Sequence, residues 1–409
     1  MAGIRVEPSA IEQTGQDILT RTISVNFGPQ HPATHGTLRV KMELLGENIV
    51  KVDPEIGFLH TGFEKLGEYH TFNQWVCTTD RMNYMSPLCN NIGFVTAVEE
   101  LLGIELPPRG QHLRVILAEL SRIADHVVCC ALQAMDLGAF SVMLWGFIER
   151  EKLYDLFEMV TGARLTTSYT RVGGMMRDVP GEFVPRCRKF IREFPEALKE
   201  IEKMLARNRI FLDRTIGVTA IGKDDAISYG LSGPLLRACG VEYDVRRARP
   251  YLVYPELDFK VITRTEGDVF ARFCVRMDEM RESLKIISQA LDRLPGGEIN
   301  IDDKKIVLPE KAAVYTEMES LIVHFKQIMK GHGLKTPVDG RIYSCTESPN
   351  GELGWYIETD GSAVAYRLRC RPPSYINYGA FPQMVKGAYI ADCVACLSSL
   401  NVIAGELDR

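Results

Sequence analysis

The stretch "VFARFCVRMDEMRESLKIISQALDRL", Val269 to Leu294, decides how this chain folds. Phe270, Phe273, Met277, Met280, Leu284, Ile287, Leu291 and Leu294 recur in alternating steps of three and four residues. Side chains at that spacing share one face of an α-helix, whereas a strand alternates by two. A seam sustained this long predicts a long helix packed in a bundle. Working back along the chain, Leu113, Ile116, Leu117, Leu120, Ile123, Val127, Ala131 and Leu132 place a second apolar face on a helix over residues 109–135. The region before it turns helical from about Thr61 and opens with alternating runs near 22–28, 37–44 and 49–53, which read as strands. Residues 216–265, rich in Gly, Pro, Tyr and Arg, predict irregular loops with short strands. "LPGGEINIDDKKIVLPE", from Leu294, is a turn-rich connector to another helix near 311–330. The last part alternates like strands at "GRIYSCTE" and "SAVAYRLRCRPP" and ends in the apolar run "YIADCVACLSSLNVI". The expected class is α+β, a central helical bundle with small flanking sheets. The expected organisation is an arm over 1–21 and one domain over 22–409. Within it lie a β-rich hairpin region (22–60), a helical bundle (61–215), a loop-rich insertion (216–265), long bundle helices (266–330) and a C-terminal α/β part (331–409).

With 409 residues, 46% hydrophobic and 25% charged, the composition is that of a globular protein with a sizeable core. A net charge of -5 offers no basic field, so nucleic acid is an unsuitable partner. The first residues, "MAGIRVEPSAIEQTGQDILT", lack an apolar core of signal-peptide type and read as a mobile arm or a docking segment. Eleven cysteines then point to reduced thiols in a cytosolic compartment. One run imitates a membrane span: Val127 to Ile148 carries a single formal charge, Asp136. A central Asp is costly to insert, about 2.5–3.5 kcal/mol, and Gly138 and Ser141 suggest a break, so two buried helix ends are expected here. Asp136 is then a buried carboxylate in need of a partner.

The stretch "NFGPQHPATHGTLRV", Asn26 to Val40, puts His31 and His35 on a hairpin loop stiffened by Pro29 and Pro32, with Gly28 and Gly36 beside them. Their i, i+4 spacing suits two ligands on a helix, but Pro32 and the glycines make a helix improbable there. No His-Glu-x-x-His, Gly-x-Ser-x-Gly or P-loop occurs, and no glycine fingerprint follows a strand, so nicotinamide binding by this chain is unsupported. Cys393 and Cys396 alone have thiol-ligand spacing, and one pair is half a metal site. The other thiols, Cys129 and Cys130 included, read as core fillers.

Taken in order, "GPQHPATHG", "HTGFEK", "TTDRMNY", "SYTRVGG", "YDVRRARPY", "MRESLKII" and the terminal "GELDR" resemble the D-type subunits of the proton-pumping NADH–quinone oxidoreductases, respiratory complex I. The resemblance runs from about Thr22 to Arg409. That family in turn resembles the large subunit of nickel–iron hydrogenases, which implies a helical bundle with small β-rich parts. It also implies that the hairpin lines a quinone headgroup pocket, with His35 facing the headgroup and Tyr84 facing it from the other side. Both are groups that can donate a hydrogen bond and yield a proton. Asp136 matches the family carboxylate that pairs with this histidine, and Arg81 an arginine near a 4Fe–4S cluster held by an adjacent subunit. The implied partners are that iron–sulfur subunit, a C-type subunit, a ferredoxin-like subunit and a membrane subunit that completes the quinone channel. The implied location is peripheral, on the cytoplasmic side of the cell membrane. Quinone is the implied substrate, with no metal or flavin on this chain.

Three departures matter. Where the hydrogenase large subunit has Arg-x-Cys-x-x-Cys, this chain has Arg81-Met82-Asn83-Tyr84-Met85-Ser86, so Cys393 and Cys396 have no second half. Thr166 stands where many family members carry a histidine linked to proton-coupled cluster redox behaviour, and Thr61 where some carry a cluster-facing arginine. A hydrogenase-type metalloenzyme subunit and a structural scaffold with a silent pocket are the alternatives.

Overall fold

The computed structural model describes residues 22–34, 36–329 and 334–409, so the expected arm over 1–21 and the site candidate His35 lie outside the described residues. Strands β1 (Ile23–Phe27), β2 (Arg39–Leu45) and β3 (Asn48–Glu55) form an antiparallel meander with Val25 opposite Met42 and Met42 opposite Val52. Its alternation turns Val40, Met42 and Leu44 into one core. Gly28 is required where the hairpin closes: its φ is +86°, and a Cβ there would lie 2.0 Å from the Leu38 carbonyl oxygen.

Helices α1 (Phe63–Gly67), α2 (Phe72–Thr79), α3 (Pro87–Leu102), α4 (Pro108–Asp136) and α5 (Phe140–Thr161) follow. Proline opens both α3 and α4, where its missing N–H costs nothing. The span-like run Val127–Ile148 is indeed two helix ends. α4 stops at Asp136, Gly138 turns the chain at φ +92°, and α5 returns alongside. Gly146 makes the close return possible, since a Cβ there would sit 3.0 Å from the Ala131 Cβ. No helix among the described residues is long and apolar enough to cross a membrane.

A ribbon of β4 (Thr170–Arg171) and β5 (Gly174–Met175) precedes α6 (Phe183–Leu205). The region 216–265 departs from expectation. It contains short helices and no strand: after α7 (Arg209–Asp213) come α8 (Lys223–Ser228), α9 (Gly233–Arg237) and α10 (Val245–Ala248). The reason is local capping combined with buried charge. Asp244 caps α10 by accepting from the Arg246 N–H at 2.9 Å, and the arginines that looked loop-like turn inward to carboxylates. Next comes α11 (Val269–Asp292), which carries seven of the eight seam residues, with Leu294 just past its end; six are buried in the bundle core, and Phe270 and Leu294 pack at its margin.

After α12 (Lys311–Thr316) and α13 (Met318–Ile328), a second antiparallel sheet is built from β6 (Val338–Ser348), β7 (Gly351–Asp360) and β8 (Arg367–Arg371). The central strand β7 was not expected. Gly351 and Gly354 obscure its alternation, and it is recognised only by pairing on both sides, with Trp355 opposite Ser344 and Cys370. Trp355, Trp75 and Phe94 meet edge-on, with ring centroids 4.6–5.4 Å apart. Short helices α14 (Pro373–Tyr378) and α15 (Phe381–Val385), then α16 (Ile390–Leu400) and α17 (Ala404–Asp408), close the chain.

Helix α4 is the axis, packed against α3, α5, α11 and α16. Its predicted apolar stripe is buried except for Leu132, which is half-buried, but α4 is buried nearly all round, polar side included. Much of that polar side is satisfied by ion pairs. Arg114 makes a two-pronged contact with Glu99 at 2.6 and 2.8 Å, and Glu119 accepts from Arg246, Tyr254 and Ser283 at 2.6–3.0 Å. The class is α+β, as expected.

Candidate functional site

Tyr84 lies on the turn between α2 and α3, and Asn83 builds that turn. The Asn83 Oδ1 accepts from the backbone N–H of Met85 at 3.1 Å and of Ser86 at 3.3 Å, after which Pro87 starts α3. Its Nδ2 donates to Asp125 Oδ2 on α4 at 3.1 Å, which pins the turn to the bundle axis. Tyr84 is half-buried and borders a cavity of about 220 Å³ walled by Met85, by Val128 and Cys129 of α4, by Leu397 of α16 and by Asn401. Burial, and then the charge of Asp125, push the phenol above its ordinary pKa. At neutral pH Tyr84 is therefore a neutral O–H donor at the edge of a largely apolar space.

Asp136 is placed differently from the sequence expectation. It is half-buried, not buried, because α4 ends there in a turn near the surface. Its charge is still felt at the same cavity wall. The Cys129 thiol is pushed up to about 11, first by burial and further by the charges of Asp125 and Asp136, against a lowering by Arg276. Two carboxylates thus act on Cys129, which lines the cavity beside Tyr84.

The hairpin tip docks beside that cavity. Its single 3₁₀ turn, Pro32–Thr34, packs against α16, and Gly36 backs onto Ala404, where a Cβ would come within 3.0 Å. His31 is exposed, sets its ring at 40° to that of Phe27 with centroids 4.4 Å apart, and accepts from the Ala33 N–H at Nδ1. Arg81 is exposed on the turn that holds Tyr84 and makes no ion pair with another described residue. Its neighbour Asp80 is buried, and burial pushes that carboxyl up to about 6 although Arg81 opposes the shift. Thr166 has φ +50°, a strained conformation for a β-branched residue.

Cys393 and Cys396 lie within α16, both wholly buried, and burial raises both thiols above their ordinary pKa. Cys396 faces the Met384 sulfur at 4.0 Å. No group of three or more His, Cys, Asp or Glu side chains among the described residues is arranged to hold a metal ion. A larger cavity, about 310 Å³ and bordered by Arg171, Asn300 and Gln327, contains none of the expected site residues.

Sequence reading missed the polar wiring around the Tyr84 turn. Asn401, at φ +53° past the end of α16, donates through Nδ2 to Asp125 Oδ1 and to Asn350 Oδ1, each at 2.6 Å. The only hint of it in the sequence is an asparagine where a helix ends, since Asn tolerates the left-handed conformation.

The profile of the family described as the respiratory-chain NADH dehydrogenase 49 kDa subunit matches residues 136–409, about two thirds of the sequence. The chain belongs to that family. This 49 kDa-type chain is 50% identical over 394 residues to the C/D subunit of the NADH-quinone oxidoreductase of Bdellovibrio bacteriovorus, covering 96% of the chain and 70% of that protein. It is 48% identical over 390 residues to the D subunit of the Geotalea uraniireducens enzyme, covering 95% and 99% of the two chains. The D 2 subunit of the Rhizobium etli enzyme is 47% identical over 396 residues, 97% of each chain. The 49 kDa-type motifs explain themselves structurally as well. "GELDR" is stitched to "HTGFEK" and its neighbours: Asp408 accepts from the Gly57 and Leu59 N–H groups at 2.9 and 2.7 Å, and Arg409 lies 3.7 Å from Glu64.

Proposed function

We propose that this chain is the quinone-site subunit of a proton-translocating NADH–quinone oxidoreductase, where it supplies the polar end of a pocket in which electrons from NADH reduce quinone. The observation that carries this reading is the neutral Tyr84 phenol on a pinned turn at the edge of a mostly apolar cavity. A quinone ring needs apolar walls and one donor per carbonyl, and Tyr84 provides such a donor at little ordering cost. At about 220 Å³ the cavity is smaller than the roughly 300–1,000 Å³ of complete ligand sites, so a partner chain has to supply another wall.

Reduction of a quinone to its hydroquinone takes two electrons and two protons. In this reading Tyr84 delivers one proton from its hydroxyl, and His35 binds the other carbonyl and delivers the second. Asp136 pairs with His35 and holds its imidazolium until the proton leaves. Arg81, an exposed cation on the Tyr84 turn, faces the 4Fe–4S cluster of the iron–sulfur neighbour and favours its reduced form. A C-type partner is supported by the relative whose name joins C and D. The proposed assembly also holds a ferredoxin-like subunit and a membrane subunit, and it docks this chain peripherally on the cytoplasmic face of the cell membrane.

Tyr84→Phe tests the reading. It retains the ring and removes the hydroxyl, so the assembly should form, with apparent quinone affinity weaker by about three- to tenfold. Turnover at saturating quinone should fall further, by up to about 10²–10⁴-fold. Electron transfer from NADH to an artificial acceptor should be unchanged. Parent-like quinone turnover in an intact Tyr84→Phe assembly would rule the pocket out.

A further inference from the structure

A chain of buried polar side chains runs from the Tyr84 turn to the C-terminal helix α17. Asn83 donates to Asp125, Asn401 donates both to Asp125 and to Asn350, and Asn350 Nδ2 donates to Glu406 Oε2 at 3.4 Å. Ser374 Oγ donates to the same Glu406 oxygen. All are buried, Glu406 wholly so, and its Oε1 has no hydrogen-bond partner among the described residues. Other glutamates buried this deeply in the bundle are held by a cation, as Glu119 is by Arg122 and Glu279 by Arg237. Glu406 has only a hydroxyl and an amide. A wholly buried carboxyl without a cation is a proton-binding group, because its ionised form lacks solvation.

We propose that Glu406 is a proton-holding positioning residue of the quinone site, whose charge is transmitted through Asn350, Asn401 and Asp125 to the turn that carries Tyr84. The inference rests on the quinone-pocket reading of Tyr84. Burial pushes the Glu406 carboxyl up, the Ser374 and Asn350 hydrogen bonds pull it down and the Asp125 charge pushes it up again, leaving it at about 7. The groups around it can be named from each neighbouring element. From α4 there is Asp125, and from β8 the Cys370 thiol, which also senses Glu64, Arg371 and Arg409. From α14 there is the Ser374 hydroxyl, with Tyr375 turned under Arg409. Beneath Gly405 run the Arg81 and Met82 carbonyls, with the Arg81 side chain exposed. On α17 itself, Asp408 is occupied by the backbone of Gly57 and Leu59.

The direction of coupling follows from hydrogen-bond polarisation. Ionised Glu406 draws the Asn350 amide toward itself, which makes Asn350 Oδ1 a stronger acceptor for Asn401 and loosens Asn401 from Asp125. Asp125 is left more negative beside Tyr84, and a phenol next to a stronger negative charge yields its proton less readily. Neutral Glu406 is thus the active form.

The test is the pH profile of quinone reduction by the assembled complex with Glu406→Gln, which is permanently neutral and nearly isosteric. In the parent, kcat should decline by about two- to tenfold as pH rises through neutrality, the reach of one buried charge at an effective dielectric near 20. Glu406→Gln should hold the low-pH rate across that range with KM for quinone within about twofold of the parent. Ser374→Ala removes a hydroxyl that stabilises the ionised form, so its decline should move to higher pH. This second variant decides the matter if Glu406→Gln does not assemble. A descending limb in Glu406→Gln identical to the parent, or an unmoved midpoint in Ser374→Ala, overturns the proposal. Infrared difference spectra separate it from the pocket reading. A protonated-carboxyl C=O band lost between about pH 6 and 8 in the parent and missing from Glu406→Gln reports Glu406 alone. If that band is missing from the parent while Tyr84→Phe still loses turnover, this proposal fails and the pocket stands. If the band titrates while Tyr84→Phe is parent-like, the pocket reading fails and takes the quinone-site role of Glu406 with it, leaving only a buried proton-holding carboxyl.

Discussion

Gly405 has no side chain, and that is what lets α17 reach the Tyr84 turn. A Cβ at this position would lie 2.6 Å from the Arg81 carbonyl oxygen and 2.7 Å from that of Met82. Both obstacles are backbone, which cannot swing aside as a flexible side chain would. Gly405→Ala should therefore destabilise the chain by about 1–3 kcal/mol and shift the turn, seen as a lower Tm together with slower quinone turnover. Parent-like values of both would mean that the turn tolerates displacement. Next to it, Glu406 makes stability depend on pH with a definite sign. Its folded pKa of about 7 lies above that of an unfolded glutamate, so its contribution is full below about pH 4.3 and is lost as pH rises through 7. The parent should lose Tm relative to Glu406→Gln between about pH 5 and 8, and the two melting curves should run parallel if Glu406 is not the group responsible.

Helix α4 shows the same physics over a whole element. One stripe packs into the bundle core, and the other carries charges that are buried and matched. Glu119 is pushed up by burial but pulled down further by Arg122 and Arg246, to about 2. Removing one member of such a cluster leaves an uncompensated charge in the interior, so Glu119→Ala should cost about 3–5 kcal/mol in denaturant unfolding. Glu193→Ala on α6, which loses only an exposed pair with Lys189, should change stability by less than about 1 kcal/mol. The Glu119 contribution is present above about pH 4.3 and is lost as pH falls toward 2, opposite in sign to that of Glu406. In α16 the thiols of Cys393 and Cys396 are buried in an apolar cluster with raised pKa, hence poor nucleophiles. Native alkylation should label the exposed Cys77 of the chain and reach these two only after unfolding, as read by mass spectrometry.

Viewed whole, the molecule leaves large apolar side chains uncovered in a pattern. Phe140, Leu144 and Ile148 of α5 recur every fourth residue and are 49–58% exposed, with Trp145 beside them. They begin one turn after Asp136, whose charge acts on Cys129 in the wall of the Tyr84 cavity. A contiguous exposed apolar stripe of this kind marks a surface that is buried in an assembly. Leu144→Glu with Ile148→Glu should leave the far-ultraviolet circular dichroism of the chain unchanged but reduce its incorporation into the purified complex. Normal incorporation would show that the stripe stays open to water.

Periodicity alone determined the bundle. The steps of three and four over Val269–Leu294 appear in the structure as α11, and those over 109–135 as α4, because apolar burial is written locally in a helix. The hairpin strands and the break near Gly138 were legible for the same reason, as was the family from its seven motifs. What the sequence did not contain in local form was decided by tertiary contacts. β7 exists because β6 and β8 flank it, and the helices of 216–265 are set by arginines turning inward to glutamates more than a hundred residues away. Asp136 reads as buried from its apolar neighbours, yet where a helix ends relative to the surface depends on the packing of the whole bundle. The line from Asn83 through Asp125, Asn401 and Asn350 to Glu406 joins four separate segments of chain. No periodicity can announce such a contact, since a hydrogen bond between distant residues has no sequence spacing to detect.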